Sequence, residues 1–459
     1  MKKICILPLF FMLAELKNTS LDLCSSQKSE STCLCRIQMG ASFPVKSADC
    51  TRMDLRDFPR DEQIPDVECI DLSHNSITYL NSSTNNFHII SIKLSFNEIT
   101  FVSRDFFANT PNLRKLDLSH NRIMSFSDSN IFVGLKNLTV LNLSFNSLST
   151  LPEDTFKSLV NLQELDLSYN HLGDSDFFKG SLGVSKSIEV LKIDGLGITN
   201  LGERYFEEAA SLKYLSIVDN PLTEIPHVPY TVTYFDLSGT HIEHISAKYL
   251  DYHSLKVLKL NRLKRLQKVE HYAFYNLMSL EELSLTEAKK LKEFSDLAFG
   301  VLLTDKKSSL KKLTLSGCGI KRLNSTFLTL FKNLEQIDLQ NNPWECDCEV
   351  LWLQQLNESL HRKDSLRCKF PYTFRTKLIT ELIEDEVPNC SSVTYTTQKI
   401  LISILGVLVA ILTVLIFYLF YLGPFFQTSK GIGPGSPYYR GNPVGIDPNR
   451  AETLEFISP

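Results

Sequence analysis

Apolar residues return along this chain in a fixed phrase. LDLSHN stands at 116–121, LNLSFN at 141–146 and LDLSYN at 165–170, each the middle of an eleven-residue unit L-x-x-L-x-L-x-x-N-x-L. Units begin at Val67, Ile89, Leu113, Leu138, Leu162, Ile188, Leu212, Val232, Leu255, Leu280, Leu310 and Leu334, spaced 20 to 30 residues apart and mostly 22 to 26. A period of that size predicts an α/β repeat solenoid, because each unit buries its apolar face only by stacking on its neighbours. Positions 1, 4, 6 and 11 point inward as core. The short strands of successive units form one continuous parallel sheet, spaced about 4.8 Å per repeat. Positions 3, 5, 7 and 8 project toward the hollow of the array, where a partner would dock.

Position 9 is usually asparagine: Asn75, Asn97, Asn121, Asn146, Asn170, Asn220 and Asn342. An amide there satisfies backbone groups of the turn and bridges to the next repeat. The ladder breaks at Leu196, Thr240, Leu263 and Ala288, and with the 20- and 30-residue spacings this predicts a locally irregular second half. Cys318 takes position 9 of its unit and reads as a buried structural thiol. Six residues ahead of unit starts stand Phe107, Phe132, Phe156, Phe206, Tyr249 and Phe274. Aromatics recurring at one offset predict a stacked spine under the convex side, as core.

The two ends place the array in a compartment. Lys2 and Lys3 precede an apolar run from Ile4 to Ala14 that is too short to span a bilayer, the pattern of a secretory signal. Cleavage is expected between Ala14 and Leu23. A second, uncharged run of 23 residues, Ile400 to Leu422, is long enough to cross the hydrocarbon core. Lys430, Arg440 and Arg450 follow it, a bias that agrees with an outside N-terminus. The chain therefore reads as a single-pass type I protein of the plasma membrane. Residues 423–459 hold 12 Gly or Pro among 37, too short and irregular for a folded enzyme domain. Tyr438 and Tyr439 are candidates there for phosphorylation-dependent recruitment.

Of the 11 cysteines, Cys5 lies in the signal, Cys24, Cys33, Cys35 and Cys50 precede the repeats, and Cys346, Cys348, Cys368 and Cys390 follow them. Groups of four at the ends of a secreted array read as disulfide frameworks that cap its apolar edges. The oxidising compartment argues against zinc at the C-x-C pairs. Cys69, at position 3 of the first unit, has two readings, a free thiol or a member of the N-terminal cap.

These ends carry a family likeness. N-P-W-E-C-D-C-E-V-L-W-L-Q-Q-L, from Asn342 to Leu356, closely resembles the cysteine-rich C-terminal cap of extracellular leucine-rich repeat proteins. C-T-R-M-D-L-R-D-F-P, from Cys50 to Pro59, resembles the matching N-terminal cap. The resemblance implies a leucine-rich repeat horseshoe with a parallel concave sheet, and disulfides Cys24–Cys35, Cys33–Cys50, Cys346–Cys368 and Cys348–Cys390. It covers residues 24 to 390 and specifies fold, not ligand. Similar in layout are Toll-type receptor ectodomains, slit-like guidance proteins and neuronal adhesion proteins; nothing resembling the Toll cytoplasmic signalling domain follows the apolar run here. The expected order is a signal peptide (1–20), an N-terminal cap (21–66), about twelve repeats (67–343), a C-terminal cap (344–391), a linker (392–399), a membrane helix (400–422) and a disordered tail (423–459).

Tyr214 and Tyr234 occupy position 3 of adjacent repeats, flanked by Val190 and Val257. Exposed tyrosines on a rigid sheet make good protein anchors, and the repeat template does not ask for them. Position 8 carries His74, Phe96, His120, Phe145 and Tyr169 in succession. This is a second candidate strip, through Phe96, Phe145 and Tyr169, with the simpler reading that S-H-N, S-F-N and S-Y-N are ordinary repeat variants packing on one another. No metal is expected at His74 and His120, which two repeats hold roughly 10 Å apart. Lysine and arginine are frequent from Lys256 to Arg322, including Lys259, Arg262 and Lys312, but Glu282 and Glu287 intervene. That mixture reads first as a solvated face.

With 48 basic and 52 acidic side chains the net charge is −4, which gives no reason to expect nucleic acid. There is no nucleophile–base arrangement, phosphate loop or metal-ligand spacing, so neither catalysis nor a cofactor is expected. The leading reading is a cell-surface recognition, adhesion or co-receptor protein. It would bind an extracellular or membrane protein through the concave face, with a second copy of itself among the candidates. The alternative is a matrix- or glycan-binding anchor that uses the basic stretch. Glycosylation sequons stand at Asn81, Asn137, Asn142, Asn324, Asn357 and Asn389. Asn142, at position 5 on the sheet, is predicted to carry a glycan that shields the third to fifth repeats and directs binding toward Tyr214 and Tyr234. Glycopeptide mass spectrometry that finds Asn142 bare would remove this shield.

Overall fold

The structure, a computed structural model, describes residues 24–25, 32–39, 44–59, 66–81, 88–173, 178, 183–184, 186–300, 308–356, 359–387, 390 and 393–417. The chain divides into one unit ending at Cys390 and another beginning at Ser391. In the first, each repeat forms one three-residue strand at its positions 3 to 5, from Cys69–Asp71 through to Gln336–Asp338. These strands lie side by side in chain order, and Cys24–Ser25, Cys33–Met39 and Pro44–Asp49 extend the sheet to fifteen strands. Like positions face each other throughout, as in Tyr214↔Tyr234 and Leu215↔Phe235, so every change in repeat length is absorbed outside the strands. Side chains alternate across a strand, which sends positions 4 and 6 inward. Leu113, Leu116, Leu118 and Ile123 of one unit are all no more than 1% exposed.

The asparagine ladder ties the repeats together. Asn121 Nδ2 donates to the carbonyls of Leu94 (2.9 Å) and Leu118 (3.0 Å), and its Oδ1 accepts from Ile99 N–H (3.0 Å). Asn97, Asn146 and Asn170 repeat the pattern. Where the ladder breaks, neighbours compensate. Asn220 Oδ1 accepts from both Leu196 and Ile198 N–H, and Thr240 Oγ1 donates to the Leu237 carbonyl at 2.8 Å. Cys318 is buried with Sγ 3.4 Å from the Leu285 carbonyl, and burial pushes its thiol up to about 12.

In six units position 7 does not face the hollow, contrary to the sequence reading, whereas Asp194, Val218, Asn261, Thr286, Ser316 and Gln340 stay half-buried. Ser73, Ser95, Ser119, Ser144, Ser168 and Ser238 are only 4–9% exposed. An Asx residue at position 5 accounts for five of the six, while Ser95 follows Lys93 and shares a 3.0 Å hydroxyl hydrogen bond with Ser73. Asp117 accepts from Ser119 N–H, Asn142 from Ser144, Asp166 from Ser168 and Asp236 from Ser238, at 2.9 to 3.0 Å. An Asx side chain bonding the backbone two residues on closes a turn, so the D-L-S phrase folds the serine under the end of the strand. Asp194 stands at position 7 of its unit, where its Oδ1 accepts from Ser216 Oγ (2.6 Å) and Val218 N–H (2.7 Å). Burial, reinforced by Asp166 and Asp236, raises its carboxyl to about 6 against those two hydrogen bonds.

The aromatic spine runs in two segments. Phe107, Phe132 and Phe156 follow one another at 6.4 and 6.3 Å between centroids. Farther on, Phe274, Phe299, Phe327, Phe331 and Trp352 continue it at 5.3 to 6.4 Å. Phe206 is buried, with its ring against Tyr205. Tyr249 is not a spine member: its ring is only half-buried, with Lys248 Nζ 5.0 Å from its centroid. The 20-residue repeat puts Pro226 where the aromatic would stand, and Tyr252 fills the gap, donating its hydroxyl to the Pro226 carbonyl at 3.0 Å.

Both ends of the sheet are closed. The antiparallel pair Cys33–Met39 and Pro44–Asp49 covers the first repeat, held by the Cys33–Cys50 disulfide. Cys35 and Cys69 are each disulfide-bonded as well, so Cys69 is not a free thiol. At the other end, Ile337 of the last strand bridges to Leu360, buried Trp344 and Trp352 donate to the Leu339 and Leu323 carbonyls, and disulfides join Cys346 to Cys368 and Cys348 to Cys390. In the second unit a helix spans Val393–Phe417. Its segment Lys399–Phe417 is long and apolar enough to cross a membrane, by length and composition. Residues 393–399, expected as a linker, are helical. The expected signal, the tail with Tyr438 and Tyr439, Asn357, Asn389 and the side chain of Cys24 lie outside the described residues.

Asn121→Ala would strand buried backbone groups of two repeats and is expected to lower stability by on the order of 3 kcal/mol, read by denaturant unfolding. Because Asp194 titrates higher in the fold than its unfolded value near 3.9, its contribution is fully present below about pH 4 and is lost as pH rises to about 6. Asp194→Asn keeps an acceptor oxygen and should be more stable than the parent at pH 7.4, by up to about 3 kcal/mol, with a flatter profile between pH 4 and 6. A variant with the parental pH profile would show that Asp194 is not the responsible group.

Candidate functional site

On the exposed face of the sheet, the strands Val190–Lys192, Tyr214–Ser216, Tyr234–Asp236 and Val257–Lys259 lie consecutively. Their register sets Val190, Tyr214, Tyr234 and Val257 in one row at position 3. The two tyrosine rings stack, centroids 4.2 Å apart and planes 8° from parallel. Both are half-buried, which leaves ring edges and hydroxyls for a partner. Lys259 Nζ lies 5.8 Å from the Tyr234 centroid, and the Tyr234 hydroxyl donates to Asp236 Oδ2 at 3.5 Å. Burial first, then Asp236, holds that hydroxyl well above the ordinary tyrosine range, so it remains a donor at neutral pH. Charged pairs border the row: Lys192 with Glu164 (2.9 Å) before it and Lys259 with Glu282 (3.7 Å) after it. An apolar, aromatic centre with a charged rim is the anatomy of a protein-binding patch.

The second strip is a ladder of rings. His74, Phe96, His120, Phe145 and Tyr169 stack in sequence with centroids 4.5, 4.0, 4.3 and 4.5 Å apart and planes within 19°. Phe96, Phe145 and Tyr169 remain 40–46% exposed. The stacking spends ring faces on one another, so the surface shows edges. The Phe96 ring lies between His74 and His120, and among the described residues no group of three His, Cys, Asp or Glu is placed to hold a metal.

Every position 8 residue is left-handed, which the sequence reading missed. φ lies between 53° and 58° at His74, Phe96, His120, Phe145 and Tyr169, and again at Asp219, Arg262, Glu287 and Asn341; Gly195, Gly239 and Gly317 supply the rest. The signal was present in those later residues, since Gly, Asp and Asn are the ones that visit this region readily. For a bulky residue it costs about 1–2 kcal/mol, which ring stacking at about 0.5–1.5 kcal/mol per pair offsets. Beyond Tyr169 the row becomes polar. Tyr169 leans over Gly195, where a Cβ would lie 2.6 Å from its ring, and Arg262 pairs with Asp219 at 3.2 Å across Gly239.

Asn81, Asn137 and Asn324 are exposed and Asn142 is half-buried. Asn142 Oδ1 is held by the N–H and Oγ of Ser144. Asn137 Nδ2, the atom a glycan would occupy, donates to the Pro111 carbonyl at 2.9 Å.

Comparison with known proteins agrees with this geometry. Residues 87–130 and 111–172 match the leucine rich repeat family model, and residues 243–350 match a BspA type leucine rich repeat region of six copies. Chicken (Gallus gallus) Tsukushi is 27% identical over 329 residues, covering 68% of this chain and 78% of Tsukushi. Rat (Rattus norvegicus) chondroadherin is 33% identical over 109 residues, 24% of this chain and 28% of chondroadherin, so that match spans less than a third of the relative. Among solved structures, the mouse RP105/MD-1 complex contains a chain of the same fold, with TM-score 0.53, 20% identity, and coverage of 70% of this chain and 58% of that one. With its solenoid of parallel strands and its disulfide-bonded ends, the chain is an extracellular-type leucine-rich repeat protein.

Proposed function

We propose that this chain is a single-pass cell-surface protein that binds a protein ligand, or another membrane protein, through the row Val190–Tyr214–Tyr234–Val257 on its concave face. The stacked tyrosine pair carries the reading. A rigid sheet holds both rings before a partner arrives, so little side-chain freedom is lost on docking, and both hydroxyls sit at the edge of an apolar centre. Relatives of the same family include chondroadherin and Tsukushi, and the RP105 structure of the same fold is a complex with a second protein. The outside position of the repeats is read from the apolar run at Ile400–Leu422 and the basic residues that follow it. Recognition, adhesion and co-receptor action all fit such a surface.

Cells displaying the full-length chain would be screened against an array of surface and secreted proteins, this chain included. Against the partner found, Tyr214→Ala/Tyr234→Ala is expected to weaken binding by at least roughly thirtyfold, as loss of a central aromatic anchor does, with surface display unchanged. Unaltered affinity at normal display would move the contact away from this row.

A further inference from the structure

The units beginning at Leu255 and Leu280 lack the position 9 asparagine and close their turns through the backbone. Leu266 N–H donates to the Leu263 carbonyl (3.2 Å) and Leu291 N–H to the Ala288 carbonyl (3.0 Å). The two residues at the tip are Lys264 and Arg265 in the first turn and Lys289 and Lys290 in the second, all exposed. The strands that follow, Lys268–Val269 and Glu293–Phe294, pair in parallel with Lys268 opposite Glu293, and Lys292 N–H donates to the Gln267 carbonyl at 2.9 Å. One register therefore places Lys264 beside Lys289 and Arg265 beside Lys290, about 4.8 Å apart along the array. Exposed Lys292 extends the cluster beside Gln267. Ser76, Glu98, Ser147 and Gly197 hold the place of Lys264 in other units, so the repeat does not require a base there.

The mixed basic stretch thus sorts into cations that have a carboxylate partner and cations, Lys312 on the sheet among them, for which none lies within 4 Å among the described residues. Lys256, Lys259, Arg262, Lys268, Lys311, Lys321 and Arg322 all lie within 4 Å of a carboxylate. Among the described residues Lys264, Arg265, Lys289, Lys290 and Lys292 have none. Glu293, closest in chain to Lys292, is held by Lys268 at 3.0 Å; Glu287 precedes the second turn at position 8, and Glu243 lies two strands from Lys292 in register. Four like charges in a compact square repel one another and leave a strong demand for an anion. The tips offer charge and hydrogen-bond donors only, because Leu263, Leu266 and Leu291 beneath them are at most 1% exposed. A protein partner would need an apolar anchor, and a membrane-inserting surface would need exposed apolar residues.

We propose that these paired turns bind a linear sulfated polysaccharide, its sulfates seated on Lys264, Arg265, Lys289 and Lys290 with Lys292 at the margin. The site lies on turns, separate from the tyrosine row on the strands, and does not depend on it.

The test uses full-length protein purified in detergent micelles, with heparin dodecasaccharide as the probe. Desulfated heparin, polyglutamate and phosphatidylserine vesicles are the comparison anions. Binding to heparin should weaken with salt and fall roughly tenfold or more when all four tip bases become alanine, since each exposed ion pair adds a modest share. Lys264→Arg/Lys289→Arg/Lys290→Arg should bind like the parent, as should Tyr214→Ala/Tyr234→Ala. If the fourfold variant unfolds early, Lys289→Glu alone carries the same reading. No heparin binding by the parent, binding unchanged in the alanine and Lys289→Glu variants, or equal binding of desulfated heparin or polyglutamate would overturn the proposal. Tighter binding of the vesicles than of heparin would also overturn it, in favour of a lipid surface.

Discussion

The side-chain amide of Asn121 sits where backbone groups of consecutive repeats would otherwise be buried without partners, and its four hydrogen bonds reach both its own repeat and the one before. Buried polar backbone must be paired, so each such amide allows one repeat to lie flat on the next. That contact reinforces the strand register wherever the asparagine stands, and the strands of the units at Val232, Leu255, Leu280 and Leu310 keep the same register without it. Leucines alone would pack with much less positional demand, because apolar burial is non-directional. The amide converts a stack of apolar layers into a lattice with fixed rungs. Both candidate surfaces lie where those rungs thin out: the tyrosine row keeps Asn220 alone and the basic turns have none, and there the strand pairing itself carries the register on.

The repeat pattern made the solenoid, its parallel sheet and its core positions legible, because one spacing recurs twelve times. What it obscured was the fate of residues just past the strand. Positions 5 to 8 look like alternating exposed sites on an extended chain. In fact Asp117 and its counterparts bond the backbone two residues on and tuck the serine inside, and in every unit, with or without that bond, the residue after it is left-handed. The chain has left the strand by that point, so period-two reasoning no longer applies. Tyr249 misled for a related reason: its offset from the unit start is right, but the preceding 20-residue repeat lacks the segment that would cover it.

The candidate surfaces were legible to different depths. Tyr214 and Tyr234 could be placed side by side from repeat position alone, since register within the strands does not vary. Their stacking, and the ion pairs that border them, depend on rotamers that a pattern does not contain. The basic stretch from Lys256 to Arg322 shows the opposite case. Sequence mixed its cations with nearby acids, whereas the fold assigns acids to Lys256, Lys259, Lys268 and Lys311 and leaves the turn tips alone. Neighbours in the chain were poor guides to neighbours in charge, because the partner of a residue in a solenoid is usually one repeat away.

The ring ladder also has a built-in terminator. Successive rungs share one backbone conformation, so any side chain from glycine to tyrosine is launched from the same place and in the same direction. The row therefore behaves as a ruler whose marks can be exchanged one at a time. Its last aromatic mark is set by Gly195, whose missing Cβ gives Tyr169 a place to lean. Lengthening the ladder by an aromatic at 195 would first have to stand Tyr169 upright, so the extent of this edge is fixed by one absent methyl-sized group and not by the number of rings.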